Sequence, residues 1–111
     1  MDLHNSIDEF NNCQQVCMET AAHCMRMGSE YAEAPLLRLL WDCAYVCEMS
    51  SEYDRLESPM QARGAYEITA ELCDRVAQRC ASFQYDRILM MCADTCRRCA
   101  LYCREKAGTL V

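Results

Sequence analysis

The chain is poor in chain breakers: its 111 residues include three glycines and two prolines. Loop-rich folds stapled by disulfides need many more of both, which argues against such a scaffold. Strand-like alternation of apolar and polar residues is missing too, so no sheet is expected. No segment approaches the ~20 consecutive apolar residues that span a bilayer, so no membrane association is expected. Positive charge is scarce: 11 Lys and Arg stand against 17 Asp and Glu, for a net charge of −6. That balance argues against nucleic acid as a partner and otherwise implies only ordinary acidic solubility. There is no nucleophile–base pair, phosphate-cradling loop or acid dyad, so no enzyme is expected.

Cysteine is what the chain has in abundance, with eleven residues. That fraction signals either a secreted disulfide framework or a metal site. The N-terminus, Met1-Asp2-Leu3-His4-Asn5, is acidic and polar, unlike a secretory leader. The cytoplasm is therefore the expected compartment, and there thiols stay reduced. His4 reads as a frayed terminal residue.

The spacing of the thiols carries the fold. Cys92, Cys96, Cys99 and Cys103 follow one another in steps of 4, 3 and 4. Residues three and four apart share one side of a helix, so these four form a single face. Helix 1 is predicted to open on a capping box, Ser6-Ile7-Asp8-Glu9, and to stop at Gly28. Its face runs through Phe10, Cys13, Cys17, Thr20, Cys24 and Met27. Ser29 to Ala34 reads as a linker, and Pro35 suits the first turn of helix 2. That helix lines up Leu36, Leu40, Cys43, Cys47 and Ser50. Ser58 is the expected N-cap of helix 3, with Pro59 just inside it. Its face holds Ala62, Tyr66, Thr69, Cys73, Val76, Cys80 and Phe83. After a turn over Ser82 to Asp86, helix 4 carries Leu89 and the four thiols above, and Gly108 is expected to end it.

All eleven cysteines fall on these four seams. Short connections imply antiparallel neighbours, so the predicted fold is all-α: an up-down-up-down four-helix bundle with a Cys-lined core, one domain over residues 1–111. Gly64 is expected where two helices approach closely, and Tyr66 and Thr69 need polar partners on a core face. Antiparallel packing should gather His23, Met27, Leu36, Leu40, Cys80, Phe83, Met90 and Cys92 at one end, with Met25 and Met91 nearby. Phe10, Cys13, Cys47, Tyr66 and Cys103 should lie at the other.

Buried cysteine can be mere packing, since it behaves as a small hydrophobe. Eleven on one lattice is a poor way to fill space that Leu fills better. Disulfides within Cys-x3-Cys pairs are disfavoured, because Cβ atoms one turn apart lie about 5–6 Å from each other and a disulfide wants about 3.8 Å. Metal fits better. Sulfur-only ligands select soft ions, Cu(I) first, with zinc and iron–sulfur clusters behind. Structural zinc uses isolated quartets of ligands, whereas these sulfurs are continuous. Cys96-x2-Cys99-x3-Cys103 superficially resembles part of a ferredoxin loop, but Arg104 stands where Pro belongs. A zinc or general soft-metal buffer and a thiol redox protein remain as alternatives, the second opposed by the thiols' apolar surroundings. Those surroundings should raise the thiol pKa values and keep the thiols neutral without metal.

Two stretches resemble a known family. Cys92-x3-Cys96-Arg-Arg-Cys99-Ala-x2-Cys103-Arg and Leu39-Leu40-Trp41-Asp42-Cys43-Ala44-x2-Cys47 are similar to the four-helix-bundle copper storage proteins, a cysteine-rich family once labelled ferredoxin-like. The resemblance runs from about Ser6 to Gly108. It implies multiple Cu(I) ions bound in the lumen by Cys13, Cys17, Cys24, Cys43, Cys47, Cys73, Cys80, Cys92, Cys96, Cys99 and Cys103. It also implies uptake past a His- and Met-lined mouth, here His23 and Met27, a possible copper donor protein, and a homo-oligomer, often a tetramer. Thr20, Tyr66, Thr69 and Val76 stand where relatives commonly continue the thiol lattice, which implies a lower and uneven capacity.

Overall fold

A computed structural model describes residues 6–109, with side chains from Asp8 onward. The chain forms four α-helices: α1 Ser6–Met27, α2 Ala34–Arg55, α3 Pro59–Ala81 and α4 Arg87–Thr109. Among the described residues, α1 packs on α2 and α4, and α3 packs on α2 and α4. The diagonal pairs do not pack backbone to backbone, so the helices stand at the corners of a square. The expected four-helix bundle is what forms. His4 and the side chains of Ser6 and Ile7 in the expected capping box lie outside the described residues.

The connections decide how the ends are built. Gly28 has φ +71°, the left-handed conformation that glycine adopts freely, and its N–H donates to the Cys24 carbonyl at 3.1 Å. The expected linker beyond it is partly ordered: Ser29–Ala32 form a 3₁₀ turn, closed by Tyr31 N–H on the Gly28 carbonyl at 3.1 Å. That turn places Tyr31 over the end of the bundle. Ser58 does precede α3, but its hydroxyl donates to Gln61 Oε1 at 2.7 Å and makes no capping bond to the backbone. Asp86, read from the sequence only as part of a turn, caps α4 by accepting Leu89 N–H on Oδ1 at 3.0 Å.

Two glycines behave differently from expectation. Gly64 is exposed, and a Cβ there would meet nothing within 4 Å, so no close helix approach requires it. Gly108 does not end α4, which continues through it to Thr109. Close approach comes instead from alanines beside the sulfur seams. Ala21, Ala44, Ala70, Ala77, Ala93 and Ala100 are all buried there. Their short side chains let neighbouring helices draw together, so thiols fill a narrow lumen.

Candidate metal centre

All eleven cysteines are 0% exposed, and every one is a free thiol. Helical register aims each seam inward, and the square arrangement makes sulfurs from all four helices meet. Cys13 Sγ reaches across the diagonal to Cys73 Sγ at 3.8 Å and meets Cys96 Sγ of the neighbouring α4 at 3.9 Å. Cys43 and Cys73 stand 3.5 Å apart, and Cys17 and Cys96 3.7 Å. Cys13 was expected at one end of the bundle; these contacts place it in the middle of the column.

Three groups of sulfurs lie within 4.8 Å of one another: Cys13, Cys43, Cys73 and Cys96; Cys13, Cys47, Cys73 and Cys99; and Cys17, Cys92 and Cys96. The groups overlap. Cys13 and Cys73 serve both quartets, and Cys96 joins the first quartet to the triad. Cys24, Cys80 and Cys103 belong to none of them, and neither His23 nor any carboxylate joins a group. The column is thus a linked central cluster with single thiols trailing toward each end.

Close sulfurs share protons. The hydrogen bond with Cys13 leads in holding Cys17, Cys47, Cys73 and Cys96 above the ordinary thiol range. The same kind of contact holds Cys43, Cys13 and Cys92 below it, the leading partners being Cys13, Cys17 and Cys17 respectively. A hydrogen bond from Cys103 leads in drawing Cys99 down to about 6. A sulfur that accepts from neighbouring S–H groups ionises more readily, and its donors then ionise less readily. Uniformly raised thiols were expected; the donors follow that expectation and the acceptors do not. Cys24, outside the cluster, is pushed up to about 11, by burial first and the charge of Asp86 second.

The two ends differ. At one end His23 Nε2 lies 2.7 Å from Asp86 Oδ2, and the Tyr31 ring lies 4.5 Å from that of Phe83. Burial opposes the charge on Asp86, but the hydrogen bonds from His23 and from Leu89 N–H win and lower its pKa. Met25, Met27 and Met91 are half or more exposed at this end, while Met90 is partly buried. At the other end Phe10 stacks on Tyr66 at 5.5 Å, and the Tyr66 hydroxyl donates to Asp54 Oδ1 at 2.6 Å. Lys106 Nζ lies 3.5 Å from the same oxygen. Thr69 donates to the Val46 carbonyl at 3.2 Å and therefore accepts from Ser50, 2.9 Å away. Both polar core residues, Tyr66 and Thr69, thus find partners on α2. Asp86, Tyr31 and Asp54 were not singled out in the sequence. Asp86 alone carried a legible signal, an acidic residue directly before a helical seam.

A family described as copper storage protein matches residues 1–108. No curated protein matches the chain. A crystal structure of a protein from Nitrosospira multiformis, solved by a structural genomics consortium, has 33% sequence identity and a TM-score of 0.83, covering 93% of this chain and 92% of that one.

Proposed function

The chain belongs to the copper storage protein family, and we propose that it binds and sequesters several Cu(I) ions through its core thiolates, without catalytic turnover. The observation that carries this reading is the sharing of sulfurs. Cys13, Cys73 and Cys96 each belong to two of the three groups. A thiolate with two sets of partners can bridge two ions, so the column suits a polynuclear thiolate cluster of a soft ion. The eleven cysteines are the proposed ligands. Met27, exposed at the rim, and His23 beside Cys24 are the proposed first contacts of an incoming ion. The reading includes a chain acting as one unit over residues 1–111, delivery by a copper donor protein, assembly as a homo-oligomer and a cytoplasmic location. Among the described residues, no helix is long and apolar enough to cross a membrane.

One observation favours zinc as the second reading. A tetrahedral site with Zn–S bonds of about 2.3 Å spaces its sulfurs about 3.8 Å apart, close to the 3.8 and 3.9 Å separations around Cys13. However, closing both quartets on separate ions would make Cys13 and Cys73 bridging thiolates, and the sharing runs on through Cys96 to a triad that is not a closed quartet. An anaerobic Cu(I) titration of reduced protein, competed against a Cu(I) chelator and repeated with Zn(II), separates the readings. Storage predicts several Cu(I) per chain, with Cys73→Ser lowering capacity more than Cys103→Ser. Saturation at one ion, or tighter retention of Zn(II), would sink it.

A further inference from the structure

We infer that the His23–Asp86 contact is a latch that, with the Tyr31–Phe83 ring pair above it, shuts one end of the thiol column, so that exchange between the column and solvent waits on its opening. Four observations meet at this end. His23 adjoins Cys24 in sequence, and its Nε2 spans to Asp86 Oδ2 at 2.7 Å, tying α1 to the turn before α4. The side chains of His23 and Asp86 are only 15% and 9% exposed. Asp86 is held in place by its second oxygen, which accepts Leu89 N–H at 3.0 Å. Tyr31 and Phe83 are partly buried, pack against the core and meet at 4.5 Å. Beneath them Cys24, Cys80 and Cys92 are 0% exposed, although they are the sulfurs nearest the helix ends on α1, α3 and α4.

A thiol column needs no polar closure for stability alone, since an apolar plug does that better. Leu36, Leu40 and Leu89 are also buried at this end, but the outer closure, a hydrogen-bonded pair between two segments beside a short 3₁₀ turn, is the kind that opens locally while the helices stay folded. Among the described residues, the opposite end also carries a carboxylate contact, Tyr66 to Asp54 at 2.6 Å, but it is made by a core ring. There Phe10 and Tyr66 are 0% and 2% exposed and belong to the core itself. Asp86 is therefore a positioning residue. It holds His23 away from the column in the closed state, and opening frees the imidazole at the moment Cys24 becomes accessible.

The test needs no metal, so it stands apart from the copper reading on which the storage role of this latch rests. Reduced, metal-free protein is alkylated with iodoacetamide under anaerobic conditions, and each cysteine is followed by mass spectrometry. Asp86→Ser keeps an N-cap for α4 but is too short to reach His23. It should raise the rates at Cys24, Cys80 and Cys92 by about tenfold, the scale of losing one charged hydrogen bond, and leave Cys103 unchanged. His23→Leu, which leaves the α4 cap untouched, should do the same. Unchanged rates at the three mouth cysteines overturn the latch. Equal acceleration at Cys103 also overturns it, because that reports general loosening. In the copper arm, Cu(I)-loaded Asp86→Ser should lose ions to a chelator faster, with the same final capacity. If the unaltered protein takes up no Cu(I), the storage reading fails, while the alkylation rates still decide the latch.

Discussion

The two ends of the bundle solve the same problem with different chemistry. Both must cover a column of buried thiols. One end does so with core: Phe10 and Tyr66 stacked, Asp54 accepting from the Tyr66 hydroxyl, and Ser50 and Thr69 satisfying each other deeper in. The other runs sulfur out closer to the helix ends, buries Leu36, Leu40 and Leu89 there, and adds an imidazole–carboxylate pair and two partly buried rings on the outside. Apolar area removed from water is what makes a closure permanent. A single polar contact near water contributes little and is easily exchanged for solvent. The difference implies a container with one floor and one lid.

The sharpest way to break this comparison is to remove a ring from each end. Phe10→Ala should destabilise the metal-free bundle by about 3–5 kcal/mol, the usual cost of emptying a fully packed aromatic site. Phe83→Ala should cost about 1 kcal/mol, in line with the smaller area that ring covers. Denaturant unfolding of both variants measures the gap. Equal losses would mean that the lid is as much part of the core as the floor.

Tyr66→Phe asks whether the floor depends on its hydrogen bond or only on its ring. The substitution keeps the stack on Phe10 and removes the donor to Asp54, which retains Lys106. A loss of about 1–2 kcal/mol is expected in the same assay. No loss would assign the whole closure to packing.

The smallest effect concerns pH and sharpens the contrast at the lid. Burial and Asp86 push Cys24 up to about 11, above an ordinary thiol near 8.5. The folded state therefore holds this proton longer than the unfolded chain does. Its contribution is complete below about pH 8.5 and is lost as pH rises toward about 11. Metal-free protein should lose stability through that window, and Cys24→Ala should lose less of it. Matching pH profiles for the two proteins would show that Cys24 is solvated in the closed state.

Much of the container was legible without coordinates. The steps of three and four that carry Cys92, Cys96, Cys99 and Cys103 repeat on all four helices, and Gly28 and Pro35 mark real boundaries. Where the reading failed, a local rule met a non-local circumstance. Gly64 suggested close packing, but it faces solvent. Gly108 suggested a stop, but its backbone keeps the helical hydrogen bonding and α4 runs on to Thr109. Ser58 sits at the capping position, yet Gln61 competes successfully for its hydroxyl.

The order of residues along the chain sets the helices, the inward face of each and the sulfur that lines it. These follow from a period of 3.6 residues, which any stretch of a dozen residues displays. Which sulfurs meet depends on how the four helices pack. Cys13 touches Cys73 across the diagonal of the square, sixty residues away, and His23 meets Asp86 across sixty-three. Such meetings depend on helix spacing and on the rotation of each helix about its axis, which the buried alanines beside the seams set through close packing. Periodicity carries no information about either quantity, so the shared quartets and the lid became visible only once the four seams were brought together.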